Sequence, residues 1–216
     1  MAKHKIHYSK SKTPFADAVE IANNKNISKK TVVSLNWFRQ YTSRHLSHIN
    51  SFNSLRISDE LVASRRLELG KIYTFMYNPK YKDSLPYYDV TPLIIPFKDE
   101  GKTFMGFNLH YLPYKHRAVI MDMLYKISNS TYTEQGKLNA SYSLIQSMGK
   151  SELFKPCTKR YLKNRVGSSF LEFPEEYWEI GIFLPLATFR KGSISQVHKD
   201  SMESITRHHR PKKRRK

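Results

Sequence analysis

Cysteine is almost missing from this chain: Cys157 is the only one among 216 residues. A lone thiol excludes an intrachain disulfide, and any metal site would have to be assembled from histidines and carboxylates. Glycine is sparse as well. The eight glycines stand apart, so neither a phosphate-cradling loop nor a Gly-x-Ser-x-Gly nucleophile elbow can be written. Long apolar runs are missing too, none reaching the roughly 18 residues of a membrane span. Met1-Ala2-Lys3-His4-Lys5 opens without the apolar stretch of a signal peptide. The expectation is a soluble protein, intracellular or carried inside a particle. Acids are the last shortage, with 18 Asp and Glu against 37 Lys and Arg.

That shortage bears on chemistry. A magnesium-dependent nuclease needs clustered carboxylates to hold its ion. Asp83, Asp89, Asp99, Glu100, Asp122 and Glu172 read as scattered surface groups. The densest acidic patch, Glu175, Glu176 and Glu179, reads as an exposed turn beside Pro174. Cys157 lies between Lys155 and Lys159, which would favour a thiolate, yet a buried structural thiol explains it as well. His110 and His116 flank a strand-to-helix corner, with no acid or cysteine nearby in sequence to complete a metal set. The residues predict a protein that is not an enzyme and has no cofactor, metal, membrane span or small-molecule substrate.

What is present in excess is positive charge, and it is uneven. Of the net +19, residues 1–30 carry +5 and residues 207–216 carry +7, leaving +7 for everything between. This divides the chain into a basic N-terminal arm (1–30), one α+β domain (31–206) and a basic C-terminal tail (207–216). Such arms suit a polyanion, above all nucleic acid, because release of condensed counterions rewards them whatever the base sequence. A solubilising or targeting extension is the bland alternative. The candidate phosphate contacts are Arg207, Arg210, Lys212, Lys213, Arg214, Arg215 and Lys216 in the tail, and Lys159, Arg160, Lys163 and Arg165 in the body. If residues 155–166 are helical, Lys159 and Lys163 stack one turn apart and form a basic ridge, which a solvated surface helix would also explain. Tyr73, Tyr77, Tyr87 and Tyr88 could stack bases, or simply fill a core.

Between the arms the patterning predicts a small antiparallel β-sheet flanked by helices, with flexible basic arms at both ends. Thr13-Pro14 opens a short helix, and a second follows a cap at Ser28. Residues 47–58 read as a connector, and residues 70–77 as a strand apolar at nearly every position. Residues 93–97 and 103–111 form a hairpin across Gly101, and Pro92 and Pro96 require its first strand to be bent or at an edge. Pro113 opens a helix with Val119, Ile120, Met123, Leu124 and Ile127 on its apolar face and Arg117 among the polar residues. Further helices fit residues 138–148, ending at Gly149, and 195–206; residues 179–185 fit a strand.

Five stretches carry a family likeness. They are Gly70 to Lys80 (GKIYTFMYNPK), Leu85-Pro86-Tyr87-Tyr88-Asp89, Pro92-Leu93-Ile94-Ile95-Pro96, Gly106 to Pro113 (GFNLHYLP) and Trp178 to Pro185 (WEIGIFLP). In this order the chain resembles the DNA end protector proteins of large contractile-tailed phages of the T-even kind, from about Gly70 to Met202. The resemblance implies a non-enzymatic virion protein on the ends of packaged linear double-stranded DNA. It would enter the host cytoplasm with that DNA and shield it from exonuclease. The alternative is a head or neck completion protein whose partners are other virion proteins. The family offers no catalytic residues to carry over. Asp89 reads as a turn cap that builds the fold.

Overall fold

The computed structural model describes residues 13–28, 31–58, 60–151 and 154–209. Its centre is a six-stranded sheet in the order β1 (Val62–Ser64), β7 (Phe170–Phe173), β2 (Ile72–Thr74), β4 (Leu93–Asp99), β5 (Thr103–Asn108) and β6 (Thr158–Leu162), with every neighbouring pair antiparallel. A second, two-stranded ribbon pairs β3 (Tyr88–Asp89) with β8 (Phe189–Arg190). With helices around the sheet, the fold is α+β, as the patterning predicts.

Side chains alternate across a strand, so each strand feeds two faces. Ile72, Leu93, Ile95, Phe107, Leu171 and Phe173 enter the main core with the helices. Tyr73, Ile94, Phe104, Tyr161 and Phe170 enter a smaller aromatic core on the other side. Phe75 anchors that second core with four edge-on ring contacts, the nearest to Phe170 at 5.1 Å. Burial on both faces explains why residues 70–77 are apolar at nearly every position. It also answers the tyrosine question: Tyr73 and Tyr77 are core residues rather than a stacking platform.

Pro96 bends its strand without pushing it to an edge. β4 lies between β2 and β5, and its register to β5 slips between Pro96 and Lys98. The Pro96 carbonyl accepts from Gly70 N at 2.9 Å, so the missing proline N–H falls where β2 has not yet begun. The hairpin loop turns on Gly101 at φ +74.

The helices are α1 (Pro14–Asn24), α2 (Val32–His45), α3 (Phe52–Ile57), α4 (Tyr114–Ser128), α5 (Glu134–Lys150), α6 (Trp178–Gly181) and α7 (Ile194–His209). Several depart from the expected pattern for identifiable reasons. α1 falls in the stretch assigned to a polar arm, yet Phe15, Ala18 and Ala22 are fully buried. Thr13 makes no side-chain cap; instead Phe15 N donates to both carboxylate oxygens of Glu60, each at 2.9 Å. α2 is capped by Thr31, not Ser28, through a reciprocal Thr31–Ser34 box. Residues 47–58 contain α3, opened by the same device between Ser51 and Ser54. In α4 the buried face is Arg117, Ile120, Met121, Leu124 and Tyr125, and Val119 is exposed. α5 runs through Gly149, whose missing side chain leaves room for Phe97. Residues 178–181 coil into α6 rather than a strand, and Gly181 admits the Phe173 ring; a Cβ there would sit 2.7 Å from it.

Candidate nucleic-acid interface

The basic segment 155–166 holds the strand β6 and a 3-10 turn rather than an α-helix, which corrects the helical reading. Lys159, Arg160 and Tyr161 lie on the edge strand β6, and Lys163 and Arg165 on the 3-10 turn Lys163–Arg165 that follows. In a strand, neighbours point to opposite faces, so no ridge of stacked lysines forms. Lys159 turns inward, its ammonium 3.9 Å from the centre of the Tyr111 ring, and burial lowers its pKa to about 8. Arg160 points the other way, with Nε donating to Met105 Sδ at 3.4 Å and the guanidinium 3.4 Å from Glu100. Lys163 clasps both oxygens of Asp99 at 2.8 Å, and that bond holds the Asp99 pKa below its usual value. Arg165 has no acid partner among the described residues. The β4–β5 hairpin therefore supplies acids to two of the four cations. Exposed pairs of this kind are worth at most about 1 kcal/mol, so a phosphate can compete for them.

Arg207 lies on α7, exposed and 3.2 Å from Glu203 one turn back. Arg210, Lys212, Lys213, Arg214, Arg215 and Lys216 fall outside the described residues. α7 is anchored at its other end: Val197 and Ser201 are buried, and His198 Nε2 donates to the His110 carbonyl at 3.0 Å.

Asp89, His110, Cys157 and Glu179 are built into the fold. Asp89 is buried and accepts from Thr91 N (3.1 Å), Asn108 Nδ2 (3.0 Å), His110 Nδ1 (2.7 Å) and Thr188 N (3.3 Å). Burial alone would raise its pKa, but His110 and these donors outweigh it and hold the carboxylate ionised. Burial lowers the His110 pKa, so the ring is neutral and donates through Nδ1. This pair ties β3, β5 and the segment before β8 together, a wider task than the turn cap expected of Asp89. His116 is exposed on α4, apart from it. Cys157 is buried, and burial pushes its thiol up to about 12, away from reactive thiolate. Glu175 and Glu176 are exposed as the turn reading requires, but Glu179 is buried and accepts from the Ser34 hydroxyl. Among the described residues, no group of three His, Cys, Asp or Glu side chains could hold a metal ion.

Two cavities differ sharply in charge. The larger, about 710 Å³, is lined by Glu68, Glu172 and Glu175 with Lys71, and repels phosphate. The second, about 440 Å³, lies between the C-terminal half of α2 and the start of α4. Arg39 and Arg44 line it, with Gln40, Ser43, Ser47 and Tyr114 but no Asp or Glu. Both arginines are exposed, and neither makes an ion pair among the described residues. Reading α2 for its apolar spacing passes over them; the available signal was the polar run Arg39-Gln40-Tyr41-Thr42-Ser43-Arg44, basic and free of acids.

No curated protein and no solved structure matches the chain. A family model described as phage T4 terminal DNA protecting protein matches residues 20–202. That span takes in every strand, the Asp89–His110 pair and most of α7, and it covers well over half of the sequence. The chain therefore belongs to the family of phage T4 terminal DNA protecting proteins.

Proposed function

We infer that this protein binds the ends of packaged linear double-stranded DNA in the virion, enters the host with it, and shields those ends from exonuclease by steric occlusion. The observation that carries the reading is the family match over residues 20–202. Its net charge of +19 supports it, since displacement of condensed counterions gives affinity for any duplex. Occlusion requires no chemistry from the protein. It requires tight binding over the few terminal base pairs that an exonuclease must grip. Arg160, Lys163, Arg165 and the cations of residues 207–216 supply the phosphate contacts in this reading, whereas Lys159, turned in over Tyr111, serves the fold. Preference for an end must come from the shape of the body, because charge alone does not distinguish an end from a flank.

The test is exonuclease digestion of linear duplex DNA with the protein present, beside binding to a closed circle of equal length at physiological salt. Protection together with preference for the linear form is expected. Equal binding to both forms without protection would overturn end capping and leave a general DNA-associated protein, with head or neck completion as the role to examine next.

A further inference from the structure

The cavity between α2 and α4 has the chemistry of a phosphate site and a volume suited to a small terminal group. We propose that it holds the terminal phosphate monoester of a DNA strand, with Arg39 and Arg44 as its charge partners. This rests on the end-binding reading above and names the residues that would distinguish an end.

Three features lead there. The first is charge. Two guanidiniums and no carboxylate line the cavity, and neither arginine is engaged by an acid among the described residues. A terminal phosphate monoester carries about −1.5 to −2 at neutral pH, whereas an internal diester carries −1, so paired arginines favour the terminus. The last carbonyls of α2 oppose an anion with about half a negative charge, which two full positive charges outweigh. The second is hydrogen bonding. Gln40, Ser43 and Ser47 supply polar groups on the same walls, and Thr42, also on the lining, has a buried hydroxyl with no partner. The third is size. At about 440 Å³ the cavity lies in the range of small-ligand sites, enough for a phosphate and its sugar. Tyr114 stands exposed at its edge, with the Arg117 guanidinium 4.7 Å from the ring centre, and offers a face for the terminal sugar or base.

The experiment compares blunt duplexes carrying a 5′-phosphate, a 3′-phosphate or hydroxyl ends only. Binding and exonuclease protection are measured for the unmodified protein and for R39Q/R44Q, at about 0.2 M salt to weaken the contribution of the basic termini. The unmodified protein should bind one phosphorylated end about tenfold more tightly than the hydroxyl end, the scale of a charged hydrogen-bonded contact. R39Q/R44Q should bind all three ends alike, while its affinity for a closed circle changes little. The single variants R39Q and R44Q should each lose part of the preference, and they serve if the double variant does not fold. Equal binding of phosphorylated and hydroxyl ends by the unmodified protein would overturn the assignment, as would a preference that survives in R39Q/R44Q. If ends are protected regardless of phosphorylation, the pocket assignment falls and the end-protection reading stands. If no end is protected, that reading falls first.

Discussion

Arg117 is the largest side chain among those fully buried, and it makes no direct ion pair among the described residues, though the charge of Asp89 helps to keep it protonated. Three carbonyls do the work instead: Leu112 at 2.8 Å, Ile182 at 3.0 Å and His110 at 3.4 Å. Burial lowers its pKa to about 10, so it stays charged at neutral pH. Arg117→Ala should therefore cost roughly 3 kcal/mol or more, because three buried acceptors lose their donor, and urea unfolding measures it. The acids predict opposite pH effects. The folded-state pKa values of Asp89 and His110 are lowered from 3.8 and 6.5, so the unfolded chain takes up their protons first as pH falls. Their stabilisation is full above those values and fades below pH 6.5 for His110 and below 3.8 for Asp89. Glu60 runs the other way: burial raises it from 4.5 to about 7, so its contribution is full below pH 4.5 and lost as pH rises to about 7. Glu60→Gln keeps an acceptor for Phe15 N but removes that titration. The stability of the variant relative to the parent should climb between pH 4.5 and 7; a flat difference across this window would rule the effect out.

At the level of elements, the sequence was most legible where one signal dominated. Pro14 opens α1 at its first turn, and Gly101 turns the β4–β5 hairpin. It was least legible where a distant partner decides the outcome. Residues 155–166 are rich in charge with scattered apolar positions, which suits a surface helix. They become a strand because β5 offers five paired positions and the second core has a place for Tyr161. Arg117 looked like a surface cation because the carbonyls that hold it come partly from residue 182, far along the chain. The cavity of Arg39 and Arg44 was hidden for the same reason, since its other wall is Tyr114 and Phe183. Two glycines give a test at this scale. In an exposed helix, alanine in place of glycine gains about 1 kcal/mol. In α5 and α6 the sign should reverse, because a Cβ would meet Phe97 at 2.9 Å for Gly149 and Phe173 at 2.7 Å for Gly181. Gly149→Ala and Gly181→Ala should each destabilise by about 1–3 kcal/mol, read as a lower urea midpoint.

For the whole molecule the decisive quantity is where the charge sits. Residues 207–216 bring seven cations, so removing them should flatten the dependence of log affinity on log salt by about six units if all seven meet phosphate. An unchanged slope in a salt titration would remove the tail from the interface. The sheet order has a separate consequence, for how the chain reaches this state. Among the described residues β1 pairs only with β7, and β7 also completes the edge of β2, so strands near residues 62 and 72 wait for one near residue 170. Until the ribosome has released that segment, β2 offers an unpaired edge and β1 has no partner. Pairings of such long range slow folding and leave sticky edges in the meantime. Chains cut short before residue 170 therefore leave β1 without its partner and β2 with an open edge, and are expected to aggregate.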